Sequence, residues 1–502
     1  MEHIGYQWLA QQYSVFPVHE FAVQSIIGRT RSTHASADLR HETYPESYRP
    51  APSFRDHLSF AFRYQGIHLE FLARLYQRPQ VKAELEQWIA DEPTGSYARR
   101  ACFLYEWLQP DALQAPDVSH GNYTDALDPD EFVVGTPKKN QRWRVRDNLP
   151  GSRDFCPIIR RTDSVIAAEH YDMNARLTDL ESDFGIDLLM RSTVWLTVKE
   201  SRASFLIEQE QDKEDRIRRF ATVMESECGK HDHPFAPDTL TALQRGILGG
   251  MALRYGLRES PVYVGHSERY LSVVDYIAPH WKDTKSLLTG LSQFLERTSG
   301  CAPIMRAAVA SFGFVYIHPM ADGNGRISRF LINDILRRDG ALPAPIILPV
   351  SATITHSTRD RAAYDQVLER FSRPLMRHYA DQYHFGEALT GNDGVEYNFH
   401  FDAYEDALPA WRYPDLTPHV TYLANVIDAT LRNEMRVEAR FFRLTMPQEA
   451  RSRPFWKHRT TNWTASFAAF AKTETVFPTN DSNATRYSSK NPNWARASCK
   501  SS

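Results

Sequence analysis

His318, Asp322, Arg326 and Arg329 fall within one short stretch, HPMADGNGRISR at 318–329, and they bracket Gly323, Asn324 and Gly325. A histidine can take the proton of an attacking hydroxyl. A Gly-Asn-Gly turn permits positive φ and turns bare backbone N–H groups into one concavity. At a helix N-terminus such a nest binds anions, phosphates above all. Arg326 and Arg329 are three residues apart and can lean toward the same hollow. Two guanidiniums around a phosphate-sized hollow suit a polyphosphate. Asp322 is the kind of carboxylate that shares Mg²⁺ with phosphate oxygens. Base, anion cradle and carboxylate together point to transfer of a phosphoryl-type group onto a hydroxyl, which depends mainly on positioning and charge neutralisation. A plain turn before a helix would account for the glycines alone.

These residues need elements to hold them. PIMRAAVASFGFVYIHP, just upstream, has a proline suited to a first helical position and then a dense apolar run. RISRFLINDILRR, just downstream, sets Ile327, Phe330, Leu331, Ile335 and Leu336 on one face. The spacing therefore predicts helix, tight turn, helix. ESPVYVGHSERYLSVVDYIAP carries two short Val/Tyr runs about a polar turn and predicts a hairpin, 262–265 against 273–277. KESRASFLIEQEQ, at 199–211, puts Ser204 and Glu208 four apart on one helix face.

The stretch 318–329 resembles the signature of the Fic family, His-x-Phe-x-(Asp/Glu)-Gly-Asn-Gly-Arg-x-x-Arg, with Met320 in place of the phenylalanine. Methionine is apolar and adaptable enough to fill that inward position. The resemblance implies a mainly α fold, a helical bundle with a β-hairpin flap, and transfer of AMP from ATP to a protein hydroxyl of Tyr, Ser or Thr. It implies that His318 is the base and that Asp322 holds Mg²⁺. By the same match Gly323, Asn324 and Gly325 contact the phosphates, and Arg326 and Arg329 hold the β and γ groups. Val262, Tyr263, Val264 and Gly265 would belong to the flap, which aligns a target segment by strand addition. Ser204 and Glu208 resemble the family's inhibitory (Ser/Thr)-x-x-x-Glu-(Gly/Asn), with Gln209 as a departure. That match implies that Glu208 pairs with Arg329 and displaces the ATP γ-phosphate. Two rival readings follow from the same residues. One is removal of AMP, with Glu208 orienting water; the other is a nucleotide-sensing regulator with a DNA-binding C-terminal part.

The likeness covers about residues 160–380. Residues 1–118 read as an N-terminal helical region, from runs such as SFRDHLSFAFRYQGIHLEFLARLY and TGSYARRACFLYEWL. Residues 119–163 form an irregular connecting segment rich in turn formers. Residues 164–380 form the core, with the Glu208 helix near 193–211. HDHPFAPDT at 231–239 breaks the helices within that core, and Asp238 is the expected cap of the next. Residues 381–444 read as a C-terminal helical region, and 445–502 as a low-order tail rich in Ser, Thr, Asn and Lys. His231 and His233 lack a further ligand set, so that loop is read as polar and not as a metal site.

Among 502 residues, 59 are basic and 62 acidic, a net charge of −3, which gives no general reason for nucleic-acid or membrane binding. Five scattered cysteines form no CxxC pair. The N-terminus lacks a cationic segment leading into an apolar run, and no stretch is apolar over about eighteen residues. The expectation is a cytoplasmic, reduced protein, with a homodimer left open.

Overall fold

A computed structural model of the chain describes residues 2–36, 39–209, 214–268 and 271–445. The expected low-order tail lies outside the described residues, apart from Thr445, which ends a helix.

The helix Pro303–Ile317 is the centre of the fold. Its sequence is apolar on every side, and every residue from Ile304 to Ile317 is buried, as an all-round hydrophobic helix requires. Its one charged residue, Arg306, is matched by Asp339 at 2.6 Å and by the Leu295 carbonyl at 2.6 Å. The helix Asn324–Arg338 packs along it, and Ile186–Ile207, Glu214–Glu227 and Pro237–Leu248 cover that second helix. Ala236 caps Pro237–Leu248 and Pro237 opens it, so the expected cap, Asp238, lies one residue further in.

Ile186–Ile207 is fastened at several points. Glu200 accepts from the Ser351 N–H at 2.6 Å and from its Oγ at 2.5 Å, at the start of the helix Val350–Ile354. Trp195 donates to Glu438 at 2.6 Å, and Lys199 pairs with Glu434 at 2.5 Å and with Glu438. The helix thereby lies against Met435–Thr445.

Two expectations are corrected here. The N-terminal region is not only helical. Before Phe54–Tyr64 it holds a four-stranded sheet in the order Glu2–Ile4, Val23–Ile27, Arg40–Tyr44, Ser32–Ala35. Its strands are short and carry polar residues such as Arg40 and Glu42, so no apolar run announces them. The parallel pairing of Val23–Ile27 with Arg40–Tyr44 is also non-local. Likewise 381–444 is not only helical, because Tyr383–Thr390 and Glu396–Phe401 form an antiparallel hairpin. Between these regions, Thr124–Asp125, Lys138–Asn140 and Val145–Asp147 make a small sheet, and Trp143, Val145 and Leu149 are buried in the N-terminal core.

Candidate active site

The turn at 318–325 is built by backbone geometry. His318 ends Pro303–Ile317 in the left-handed region, at φ 48° and ψ 55°. Gly323, at φ 90°, starts Asn324–Arg338, a conformation that glycine adopts without cost. Between them Met320 is fully buried in the main core, in the position the resemblance gives to phenylalanine. The Asn324 side chain ties the turn shut. Its Nδ2 donates to the Met320 carbonyl at 2.8 Å, and its Oδ1 accepts from the Met320 N–H at 3.0 Å. The Asn324 amide thus braces the turn. Gln244 holds the Asp322 carbonyl, donating to it at 2.8 Å.

His318 is partly buried, and its Nδ1 lies 3.1 Å from the Val315 carbonyl. A carbonyl can only accept, so Nδ1 carries the proton and Nε2 keeps its lone pair. Burial, and then the charge of Arg258, lower the imidazole pKa to about 4. A neutral ring with a free Nε2 is the form a general base needs at neutral pH.

Arg329, almost fully buried, turns toward the end of Ile186–Ile207. Its Nε donates to Ser204 Oγ at 2.7 Å, and its Nη2 donates to the Ser204 carbonyl at 3.1 Å and to Glu208 Oε1 at 2.5 Å. Ser204 and Glu208 thus meet one guanidinium, with Glu208 as the residue just past the helical turns. Burial opposes the charge on Glu208, but Arg329 and then Arg326 outweigh it and hold the carboxyl below its ordinary range. Burial likewise opposes the charge on Arg329, and Glu208 outweighs it, leaving the guanidinium pKa raised.

Glu208 also sits at the N-terminus of Asn324–Arg338. A β-carbon at Gly325 would meet its Oε1 at 2.0 Å. The carboxylate therefore lies against the first turn of that helix, where the N-terminal end favours a negative charge.

Arg326 faces elsewhere. Its Nη2 donates to Asp322 Oδ1 at 3.0 Å, and its guanidinium lies over the Phe205 ring at 5.1 Å. Asp322 keeps a side chain 35% exposed. Among the described residues no group of three or more His, Cys, Asp or Glu is placed to hold a metal. A partly exposed carboxylate such as Asp322 fits Mg²⁺, because that ion takes one or two carboxylates and keeps waters.

The hairpin is longer than the sequence suggested, Tyr263–Glu268 against Leu271–Ile277, and Val262 lies just before it. The register slips between Val264 and Gly265, and a β-carbon at Gly265 would meet the Val273 carbonyl at 2.1 Å. Val264 is buried, and the Tyr263 ring packs against Phe385 and Phe399 of the second hairpin. Asp393, at the tip of that hairpin, accepts from the Glu259 N–H at 2.8 Å and from Ser260 Oγ at 3.0 Å.

Sequence reasoning missed Arg258, Gln244 and Glu200. Each is a single polar residue outside any motif, and only its burial among main-chain groups distinguishes it.

Residues 234–336 match the family model described as the Fic/DOC family. The chain is 32% identical over 171 residues to protein adenylyltransferase fic-1 of Caenorhabditis elegans, covering 33% of this chain and 32% of that protein. It is 33% identical over 147 residues to protein adenylyltransferase Fic of Drosophila melanogaster, covering 28% and 26%. The chain thus spans about a third or less of the length of the curated relatives it matches. A solved Fic family protein from Desulfovibrio desulfuricans G20 aligns at 18% identity and a TM-score of 0.36, over 55% of this chain and 75% of that one. That superposition is too loose to bear on the argument. Motif, turn and family match converge on one conclusion: residues 234–336 carry a Fic/DOC domain.

Proposed function

We propose that this protein transfers AMP from ATP to a Tyr, Ser or Thr hydroxyl of a target protein, and that Glu208 restrains the transfer. One observation carries the reading. A carboxylate paired with Arg329 lies against the first turn of Asn324–Arg338, a few residues from a histidine whose Nε2 is free to accept a proton. The matched relatives bear the name protein adenylyltransferase, which supports the same reaction.

In this reaction the acceptor oxygen forms a bond to the α-phosphorus, and the bond from that phosphorus to the bridging oxygen of the β-phosphate breaks. Pyrophosphate leaves, and the acceptor proton passes to His318 Nε2. The backbone N–H groups at Gly323–Gly325 and the guanidinium of Arg329 would receive the phosphates, with Arg326 lending charge from behind. Asp322 would hold Mg²⁺, whose charge neutralises the phosphates when it is bound. The hairpin at 263–277 would offer a strand edge to the target segment. With Glu208 in place, Arg329 is engaged and a negative charge already lies against the helix start. Buried free thiols at Cys102, Cys156 and Cys228 suit a reducing compartment, in keeping with a cytoplasmic setting. No described helix is long and apolar enough to cross a membrane.

The test is intact-mass measurement of AMP added to the protein and to a host lysate, with ATP and Mg²⁺. Glu208→Gly should add AMP faster than wild type, by roughly 5–150-fold for a coupling of ~1–3 kcal/mol. The double variant with His318→Ala should add none. Glu208→Gly no faster than wild type would defeat the inhibitory role, and no AMP on any protein would defeat the transferase reading. Loss of AMP from a pre-modified target would favour removal instead.

A further inference from the structure

Arg258 is about 1% exposed, yet among the described residues its side chain bonds no carboxylate. Its donors fan out to three main-chain carbonyls. Nε donates to His318 at 2.7 Å, Nη1 to Ser260 at 3.0 Å and Nη2 to Pro279 at 2.5 Å. Its own N–H donates to the Pro319 carbonyl at 3.0 Å, and the neighbouring Leu257 bridges to Met320. Ser260 and Pro279 flank the hairpin Tyr263–Glu268 and Leu271–Ile277 on either side. One guanidinium therefore grips both feet of the hairpin and the carbonyl of the histidine.

Burying a cation with no carboxylate bonded to it is costly, and burial, which the more distant charge of Asp393 only partly opposes, pulls the pKa of Arg258 down to about 10. For packing alone, an apolar side chain of similar volume would serve as well or better. What only arginine supplies is a planar fork with donors in several fixed directions. The carbonyl it holds belongs to a non-glycine residue in the left-handed region, a conformation that persists where its surroundings enforce it. Its charge also disfavours the His318 imidazolium.

We propose that Arg258 is the positioning residue of this site: it locks the backbone of the base to both feet of the flap, so that a hydroxyl docked on the hairpin meets Nε2 at a fixed separation. The inference rests on the transfer reading above and adds to it a residue outside the motif. The Arg258 guanidinium is engaged by main-chain carbonyls, so it acts through His318 and the hairpin.

The test uses the full chain in the Glu208→Gly background, with Arg258→Lys and Arg258→Met. Each is first checked for folding by circular dichroism, and Arg258→Lys decides alone if Arg258→Met does not fold. Lysine keeps the charge but cannot reach three carbonyls; methionine keeps the bulk and loses the charge. Rates of AMP incorporation are measured against ATP concentration, and His318 is titrated by NMR, assigned with His318→Gln. Both variants should lose about 10²-fold in kcat, the scale of a misplaced reacting pair, with the KM for ATP little changed. The His318 imidazole should titrate at higher pH in Arg258→Met and near its parent value in Arg258→Lys. An unchanged kcat, or a loss that appears equally in ATP affinity, would overturn the proposal, because a merely structural staple would do either. If the Glu208→Gly parent itself adds no AMP, the transfer reading fails and the positioning role falls with it. If the parent is active and the variants match it, only the positioning role fails.

Discussion

The carboxylate of Glu208 lies over the backbone of Gly325, with its Oε1 only 2.0 Å from where a β-carbon would stand. Gly325 belongs to the motif and Glu208 to a helix more than a hundred residues earlier, so the absent side chain of one makes room for the charged side chain of the other. Gly325 lies in a regular first turn where alanine suits the backbone. Gly325→Ala should therefore destabilise wild type by ~1–3 kcal/mol through overpacking, and cost little when Glu208→Gly is already present. Urea denaturation of the two single variants and the double variant measures this coupling. Equal costs in both backgrounds would show that the close contact does not govern the site.

Ser204 contributes the second half of the hold on Arg329. Its Oγ accepts from Nε at 2.7 Å in a fully buried position. Ser204→Ala removes a charge-assisted bond, worth ~1.5–3 kcal/mol, but leaves Glu208 in place. AMP incorporation should rise above wild type and stay below Glu208→Gly. Initial rates by intact mass rank the three proteins, and a Ser204→Ala rate equal to wild type would remove Ser204 from the restraint.

Asn324 offers a sharp choice between a brace and a phosphate ligand. Its amide exchanges two hydrogen bonds with the Met320 backbone. Asn324→Ala should cost ~2–4 kcal/mol, since both buried Met320 groups lose their partner. Asn324→Asp keeps the acceptor but sets a carboxylate oxygen against the Met320 carbonyl in a buried site, and should cost no less. If both variants keep wild-type urea midpoints and lose only nucleotide affinity, the amide acts on phosphate and not on the turn.

Glu200 makes stability depend on pH. Burial raises its pKa to about 7, against which the two Ser351 bonds and then Arg329 work. The unfolded carboxyl gives up its proton near its ordinary value of 4.5 and the folded one at about 7. Between those values the folded state holds more protons, so stability falls as pH rises through that window. Glu200→Gln cannot ionise, and its amide can still accept from the Ser351 N–H and donate to Oγ. Its stability relative to wild type should therefore grow by ~2–4 kcal/mol between pH 4 and pH 8. Other buried titratable groups are common to both proteins and cancel. A difference that does not change with pH would mean that Glu200 ionises normally.

The residues 318–329 were legible in the sequence because their chemistry is local. A turn with Gly323 at positive φ between two helices needs only neighbours in the chain to specify it, and the apolar faces of Pro303–Ile317 and Asn324–Arg338 repeat with the helical period. The hairpin was legible for the same reason, though not its full length or its register slip at Gly265. The sequence by itself put Ser204 and Glu208 on one face; their meeting with Arg329 was an expectation borrowed from family resemblance, since nothing local relates positions 121 residues apart. Tertiary structure alone decided where Arg258 points, because a lone arginine in LRESP carries no pattern and gains its partners only when the hairpin and the histidine turn converge on it. It also decided the N-terminal sheet, whose short strands pair across distant parts of the chain, and it placed the 383–401 hairpin, where Tyr397, Phe399 and Phe401 alternate along one strand and Phe399 and Phe401 gain their burial only against the main core.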